Sequence, residues 1–144
     1  MNITQRVMLF ALRLAMGWMM LYAGITKVLD PQWSAAGYLK GAKTFAGLYQ
    51  WLLSPGILPA VNFINEWGLT LLGVSLILGI FVRLSSVLGA VLMLLYYFPV
   101  LIFPYAGKHS YLVDEHIIYA LVLLLLAAMR AGRIWGLDAW NKSR

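Results

Sequence analysis

Residues 7–29 read VMLFALRLAMGWMMLYAGITKVL, and this stretch by itself indicates a membrane protein. A helix that crosses a membrane needs about 20 mainly apolar residues, and these residues include only two charges, Arg13 and Lys27. Asp30 and Pro31 follow as a helix stop signal. The stretch is too long for the apolar part of a signal peptide, and no small-residue cleavage site follows it. We therefore interpret it as a first membrane span that the protein retains.

The composition of the chain supports this interpretation. Of its 144 residues, 62% are hydrophobic and 11% are charged, whereas a soluble domain carries about a quarter charged residues. The net charge is +6, but the cations are scattered at the ends of apolar segments, where they anchor helices to lipid headgroups. We predict one transmembrane domain, residues 1–144, whose partner is the lipid bilayer and which binds no nucleic acid.

Three further apolar stretches follow the first. They cover residues 60–82, 84–103 and 114–129. The predicted fold class is therefore an all-α integral membrane protein, a bundle of four transmembrane helices. Pro99 lies inside the third predicted span, where its missing N–H frees a carbonyl one turn earlier in the helix.

Residues 34–53 show a different pattern. At 100° per residue, Lys40 and Lys43 fall on a polar face, and aromatic and aliphatic side chains fall on the other face. This pattern predicts an extracytoplasmic amphipathic helix between spans one and two, lying in the membrane interface. Trp33 and Trp51 would lie at the headgroup level.

The distribution of lysine and arginine predicts the topology. With four spans, both termini and the link between spans two and three share one side of the membrane. That side carries six cations, or seven with Arg13: Arg6, Arg83, Arg130, Arg133, Lys142 and Arg144. The other side carries Lys27, Lys40, Lys43 and Lys108. The positive-inside rule then predicts a multi-pass protein of the cell inner (plasma) membrane with both termini in the cytoplasm.

Glu66 is the first candidate catalytic residue, because a carboxylate inside a span is costly and is a functional hypothesis by default. One stripe of the second span carries the polar residues Asn62, Asn65, Glu66 and Thr70. Two interpretations remain open at this point. Glu66 handles protons or a ligand, or it forms a structural ion pair with Lys27 or Arg13.

The sequence Asp114-Glu115-His116 opens the fourth predicted span. Asp114 has a structural alternative, because an acidic residue at a helix N-terminus caps the helix and complements its dipole. Glu115 would share a face with Tyr111 and Tyr119. A carboxylate, an imidazole and phenols at a membrane interface can bind and protonate a quinone, although the same groups also occur where polar helices merely meet.

The predicted site therefore combines residues from several spans. The candidate catalytic residues are Glu66, Glu115 and His116, and the candidate substrate-binding residues are Lys27, Arg13, Tyr119 and Asp114. For Arg13 the alternative is that its side chain reaches out to the inner headgroups. The chain has no cysteine and two histidines, so we expect no metal or haem on it.

Five short motifs resemble the DoxX/DoxD-like membrane protein family. They are RLAMG (13–17), YAGITKV (22–28), FVRL (81–84), DEHIIYA (114–120) and AGRIWGLD (131–138). The resemblance implies a four-helix membrane bundle. DoxD-like members are described as the large subunit of a thiosulfate:quinone oxidoreductase, which oxidises thiosulfate to tetrathionate and passes the electrons to quinone.

Three functions follow as expectations. The first is a subunit of a quinone-linked membrane oxidoreductase of the thiosulfate dehydrogenase (quinone) type, with quinone as electron acceptor and with partner subunits in a redox complex. The second is a non-catalytic accessory or scaffold subunit of such a complex, and the third is a small-solute carrier. A quinone enzyme should show a lipid-accessible slot leading to Glu66 or His116, whereas a scaffold should show those residues paired with each other.

Overall fold

A computed structural model describes residues 1–143 of the chain, and it describes side chains for residues 1–140. Four apolar helices form the body of the molecule, and two short helices and a small hairpin lie at one end of it. In chain order the elements are α1 (Ile3–Val28), α2 (Ala36–Lys40), α3 (Ala46–Leu52), α4 (Leu58–Leu78), α5 (Val82–Val100), β1 (Leu101–Ile102), β2 (Tyr105–Ala106) and α6 (Glu115–Ala128).

Helices α1, α4 and α5 are long and apolar enough to cross a membrane. Helix α6 lies where the fourth span was predicted, but it has 14 residues. At 1.5 Å per residue it is about 21 Å long, which is shorter than the hydrocarbon core of about 30 Å. Three of the predicted spans are thus present by length and composition, and the count of four stays a prediction.

The ends of α4 and α5 differ from the predicted boundaries. Helix α4 stops at Leu78 instead of residue 82, because Gly79 takes a left-handed conformation (φ 70°) that ends the helix. Helix α5 stops at Val100, and residues 101–106 turn back as a two-stranded hairpin in place of the predicted last helical turn.

Helices α1 and α4 pack with their backbones unusually close together. A Cβ atom on Gly24 would lie 2.4 Å from the backbone nitrogen of Thr70, and one on Gly73 would lie 2.4 Å from that of Leu21. Only glycine permits this approach, which is a common way for helices to associate in lipid. Gly17 and Gly24 are both buried against α4.

The prediction of one amphipathic helix over residues 34–53 is wrong. Two short helices, α2 and α3, replace it, and the chain between them breaks at residues 41–45, where Phe45 has a left-handed φ of 53°. The break has a tertiary cause. Thr44 Oγ1 donates a hydrogen bond to the carbonyl of Leu101 (2.7 Å), which holds the turn against the end of α5.

Pro99 provides the docking point for α3. Its missing N–H leaves the carbonyl of Leu95 without a helical partner, and Tyr49 Oη donates to that carbonyl at 2.9 Å. Tyr49 is almost fully buried. The freed carbonyl predicted from the sequence is confirmed, and it holds the α2–α3 segment over the ends of α4 and α5.

Candidate functional site

A cavity of about 560 Å³ lies beneath α2 and α3, within the size range of small-molecule sites. Its walls come from the last turn of α1, the first half of α4, the second half of α5 and the first turn of α6. Most of the lining is apolar or aromatic. The polar side chains that line it are Lys27, Ser34, Tyr38, Tyr49, Asn65, Tyr96, Glu115 and His116.

Part of the apolar lining of the cavity belongs to exposed side chains. Ile64 of α4 and Leu95 of α5 both line it, and they are 54% and 39% exposed. The cavity reaches His116 but not Glu66.

His116 is oriented by its neighbour Asp114. The Nδ1 atom of His116 lies 2.6 Å from Asp114 Oδ2, and the carboxylate also accepts from the backbone N–H groups of His116 (3.0 Å) and Ile117 (3.2 Å). The predicted helix-capping role of Asp114 is confirmed. With Nδ1 held in this way, Nε2 is the ring nitrogen that remains for another partner.

Lys27 brings a cation to the same cavity. Its Nζ donates to the carbonyl of Ala23 (2.8 Å) and lies 5.4 Å from the centre of the Trp33 ring. Cations are attracted to the face of a tryptophan ring at this distance. Within residues 1–140 no carboxylate lies within 4 Å of Nζ.

Tyr96 joins α4 to α6 across the cavity. Its hydroxyl donates to Asn65 Oδ1, and its ring meets that of His116 edge to face, with centroids 6.0 Å apart. Asn65 Nδ2 donates in turn to the carbonyl of Val61 (2.8 Å). Of the polar stripe on α4, Asn65 and Thr70 are both buried. Nothing in the sequence around Tyr96 pointed to this role.

Tyr38 of α2 covers the cavity from above. Its hydroxyl donates to the backbone carbonyl of Tyr96. Burial, followed by the negative charge of Asp114, raises the pKa of Tyr38 to about 12. The phenol therefore stays protonated at neutral pH and acts as a hydrogen-bond donor.

Glu66 lies apart from the cavity. It sits in a π-helical turn of α4 (Ile64–Gly68), a local insertion that shifts the faces of the helix and often occurs at functional sites. The structural alternative of an ion pair with Lys27 or Arg13 is wrong, because no such pair exists among the described side chains. Lys27 is turned toward Trp33, and Arg13 is bound elsewhere.

Arg13 lies in the N-terminal half of α1 and does not line the cavity. Its Nη1 atom donates to the carbonyls of Ala131 (2.6 Å) and Ile134 (2.9 Å), and Nη2 lies 3.5 Å from the carbonyl of Trp135. The side chain is fully buried. The alternative that it extends to the headgroups is therefore wrong, because the C-terminal segment (residues 131–138) supplies its acceptors.

The remaining predicted residues divide between two surroundings. Glu115 lines the cavity, whereas Tyr119 packs against the apolar core. Tyr111 lies before the start of α6 and contacts Tyr105 of the hairpin. The expectation that Tyr111 shares a helical face with Glu115 and Tyr119 is wrong, because the helix begins at Glu115. The described residues bring no three of His, Cys, Asp or Glu together as metal ligands.

Comparison with known proteins identifies the family. Neither the curated proteins nor the solved structures contain a match to the chain. The DoxX family model matches residues 8–101, which include the α1, α4 and α5 walls of the cavity and the α2–α3 cover. Asp114, His116 and the C-terminal segment lie beyond the match. Since the matched region is well over half of the sequence, the chain belongs to the DoxX family of membrane proteins.

Proposed function

We propose that this DoxX protein is the quinone-reactive subunit of a membrane oxidoreductase, of the thiosulfate dehydrogenase (quinone) type. The observation that carries the proposal is a mainly apolar cavity among the predicted membrane helices that holds His116, oriented by the Asp114 carboxylate at 2.6 Å. Quinones are apolar ring compounds that dissolve in the bilayer, and their oxygens need protons when they are reduced.

The proposed chemistry balances as a two-electron transfer. Two thiosulfate ions form one sulfur–sulfur bond to give tetrathionate and release two electrons. A quinone takes up these two electrons and two protons to become a quinol. Nε2 of a protonated His116 gives one proton to a quinone oxygen while Asp114 stabilises the charged imidazole, and the second proton comes from water.

The partners and the location belong to the same proposal. This chain supplies the quinone cavity, and a partner subunit of the redox complex supplies the thiosulfate site and the path for the electrons. The cavity end of the bundle faces the extracytoplasmic side of the plasma membrane, with both termini in the cytoplasm. Cysteines introduced at Lys43 and Lys108 should then react with an impermeant reagent on intact cells, and one at Arg83 should not.

A matched pair of histidine variants tests the proposal. In membranes that contain the complex, His116→Gln should reduce thiosulfate-dependent quinone reduction by about two orders of magnitude, the usual contribution of a positioned proton donor. His109→Gln provides the control, because His109 is exposed in the bend that follows the hairpin and does not line the cavity. Equal activity of both variants per folded molecule would refute a proton-transfer role for His116.

The accessory-subunit function is the second candidate, and the pairing of His116 with Asp114 favours it. Asp114 caps the start of α6 and so stabilises the helix, a role that does not depend on catalysis. Under this alternative, His116→Gln lowers the melting temperature or the amount of assembled complex and leaves the specific activity unchanged. Tm and activity measured on the same preparation therefore separate the two functions.

A further inference from the structure

The Lys27 ammonium group has few partners in the protein, and the proposed function gives it no role. It lies at the wall of a mainly apolar cavity, and among the described residues one carbonyl, that of Ala23, accepts from it. An ammonium group has three N–H donors. A half-buried charge with so few partners is costly, and a ligand that carries the opposite charge would remove most of that cost.

The charges around the cavity are divided between two helices. The cation, Lys27, stands on α1 with the Trp33 ring beside it. The carboxylates, Glu115 on the wall and Asp114 behind His116, belong to the start of α6. An anionic group in the cavity is therefore attracted to the α1 wall and repelled from the α6 wall. This division of charge orients a ring that carries one negative oxygen.

Building on the proposed function, we propose that the ligand of this cavity is an acidic quinone, whose ionised ring hydroxyl pairs with Lys27 Nζ. The ring then lies against Trp33, and the opposite carbonyl oxygen points toward His116 Nε2. A charge-assisted hydrogen bond from an ammonium group is roughly twice as strong as a neutral one. Lys27 thus selects ionised hydroxyquinones over neutral quinones of the same size.

The test compares two ligands that differ in charge. One probe is an alkylated 2-hydroxy-1,4-naphthoquinone at a pH where its hydroxyl is ionised, and the other is its neutral methyl ether. Binding of both to the purified full chain in nanodiscs of zwitterionic lipid is measured by calorimetry. We expect the wild type to bind the ionised probe about tenfold more tightly, a difference typical of one charge-assisted contact.

Three lysine variants assign that preference to a single side chain. Lys27→Met should bind the ionised probe about tenfold more weakly and leave the affinity for the methyl ether unchanged. Lys27→Arg keeps the charge and should keep the preference, which also tests the proposal if the methionine variant does not fold. Lys43→Met is the matched control, because Lys43 is exposed and does not line the cavity.

The possible failures are distinguishable. Equal binding of the two probes to the wild type overturns the role of Lys27 but leaves the quinone site intact. If neither probe binds, the proposed function fails together with this inference. If phosphatidylglycerol added to the nanodiscs competes with the ionised probe in the wild type and not in Lys27→Met, Lys27 holds a lipid phosphate, and the acidic-quinone assignment is overturned.

Discussion

The two cations of helix α1 have opposite surroundings. Arg13 is fully buried, and three backbone carbonyls of the C-terminal segment surround its guanidinium group. Lys27 lies 14 residues further along α1, which is about 21 Å. It has one carbonyl partner and faces a cavity. In the sequence, both residues are charges inside the first predicted span, and nothing there distinguishes their roles.

The difference shows that burial of a charge does not by itself indicate a functional site. The number of protein partners around the charge separates the two cases. Arg13 fixes the packing of α1 against the C-terminal segment, and the Asp138 carboxylate adds a longer-range attraction to it. Lys27 keeps donors that a ligand can use. Arg13 is thus a structural residue, and Lys27 remains a candidate for binding.

The largest expected effect comes from Arg13→Met. The substitution removes the Arg13 donor from the Ile134 carbonyl and one of the two donors to the Ala131 carbonyl, which also accepts from the Ile134 N–H. With the charge and its hydrogen bonds lost at a fully buried position, the variant should lose roughly 3 kcal/mol of stability. Lys27→Met leaves one carbonyl near a cavity and should cost less than about 1 kcal/mol. Thermal unfolding in one detergent compares the two variants directly.

Arg13→Lys sharpens the comparison of the two cations. An ammonium group keeps the charge but not the planar fork that reaches several carbonyls at once, so the lysine variant should fall between wild type and Arg13→Met in stability. If Arg13→Met were as stable as Lys27→Met, the proposed division between a structural and a binding cation would be wrong.

A smaller effect is expected from Asp138→Ala at the Arg13 end. The Asp138 carboxylate accepts from the backbone N–H groups of Phe81 (2.8 Å) and Val82 (3.0 Å) and so caps α5. Loss of a cap costs about 1–2 kcal/mol. Asp138→Asn keeps an acceptor and should retain most of the stability. Equal melting temperatures for the wild type and the alanine variant would show that the cap is dispensable.

At the cavity end, Tyr49→Phe tests the docking of α3. Pro99 leaves the Leu95 carbonyl without a helical partner, and the variant removes the hydroxyl that donates to this carbonyl. The free energy of unfolding should fall by about 1 kcal/mol. The variant should also weaken binding of quinone probes, because α3 forms part of the cavity wall. Tyr22→Phe is the control, since Tyr22 is exposed on α1. An unchanged Tm with unchanged probe affinity would contradict the docking role of Tyr49.

The smallest expected effect is a pH dependence at Tyr38. Folding raises the pKa of Tyr38 from about 10 to about 12. The stability that comes from keeping the phenol neutral in the folded state is therefore fully present below pH 10. That contribution is lost as the pH rises toward 12. Between pH 10 and 12, the melting temperature of the wild type should therefore fall more steeply with pH than that of Tyr38→Phe. Parallel melting curves over that range would contradict the prediction.

Much of the architecture followed from local chemistry. Length and hydropathy were sufficient to place α1, α4, α5 and α6 along the chain, because a helix in lipid must be apolar and must satisfy its own backbone. Pro99 predicted a free carbonyl since the missing N–H is a property of the residue itself. Asp114 was recognised as a helix cap for the same kind of reason.

The site was only partly predictable. Lys27, Glu66, Glu115 and His116 were predicted to belong to one site. Lys27, Glu115 and His116 line the cavity, and Glu66 does not. Tyr96 was missed because a tyrosine in an apolar span has no pattern that separates a lipid-facing ring from one that faces a cavity. The break between α2 and α3 was missed since it depends on a hydrogen bond from Thr44 to a residue far away in sequence.

By itself, the sequence determined that the protein lies in a membrane, that its charges are few, and which residues are costly to bury. These are properties of the residues and their periodicity. Only the tertiary structure decided what each buried charge does, because that depends on residues that are distant in the sequence. Arg13 meets the carbonyl of Ala131, a contact of two residues that are 118 positions apart, whereas Lys27 meets a cavity.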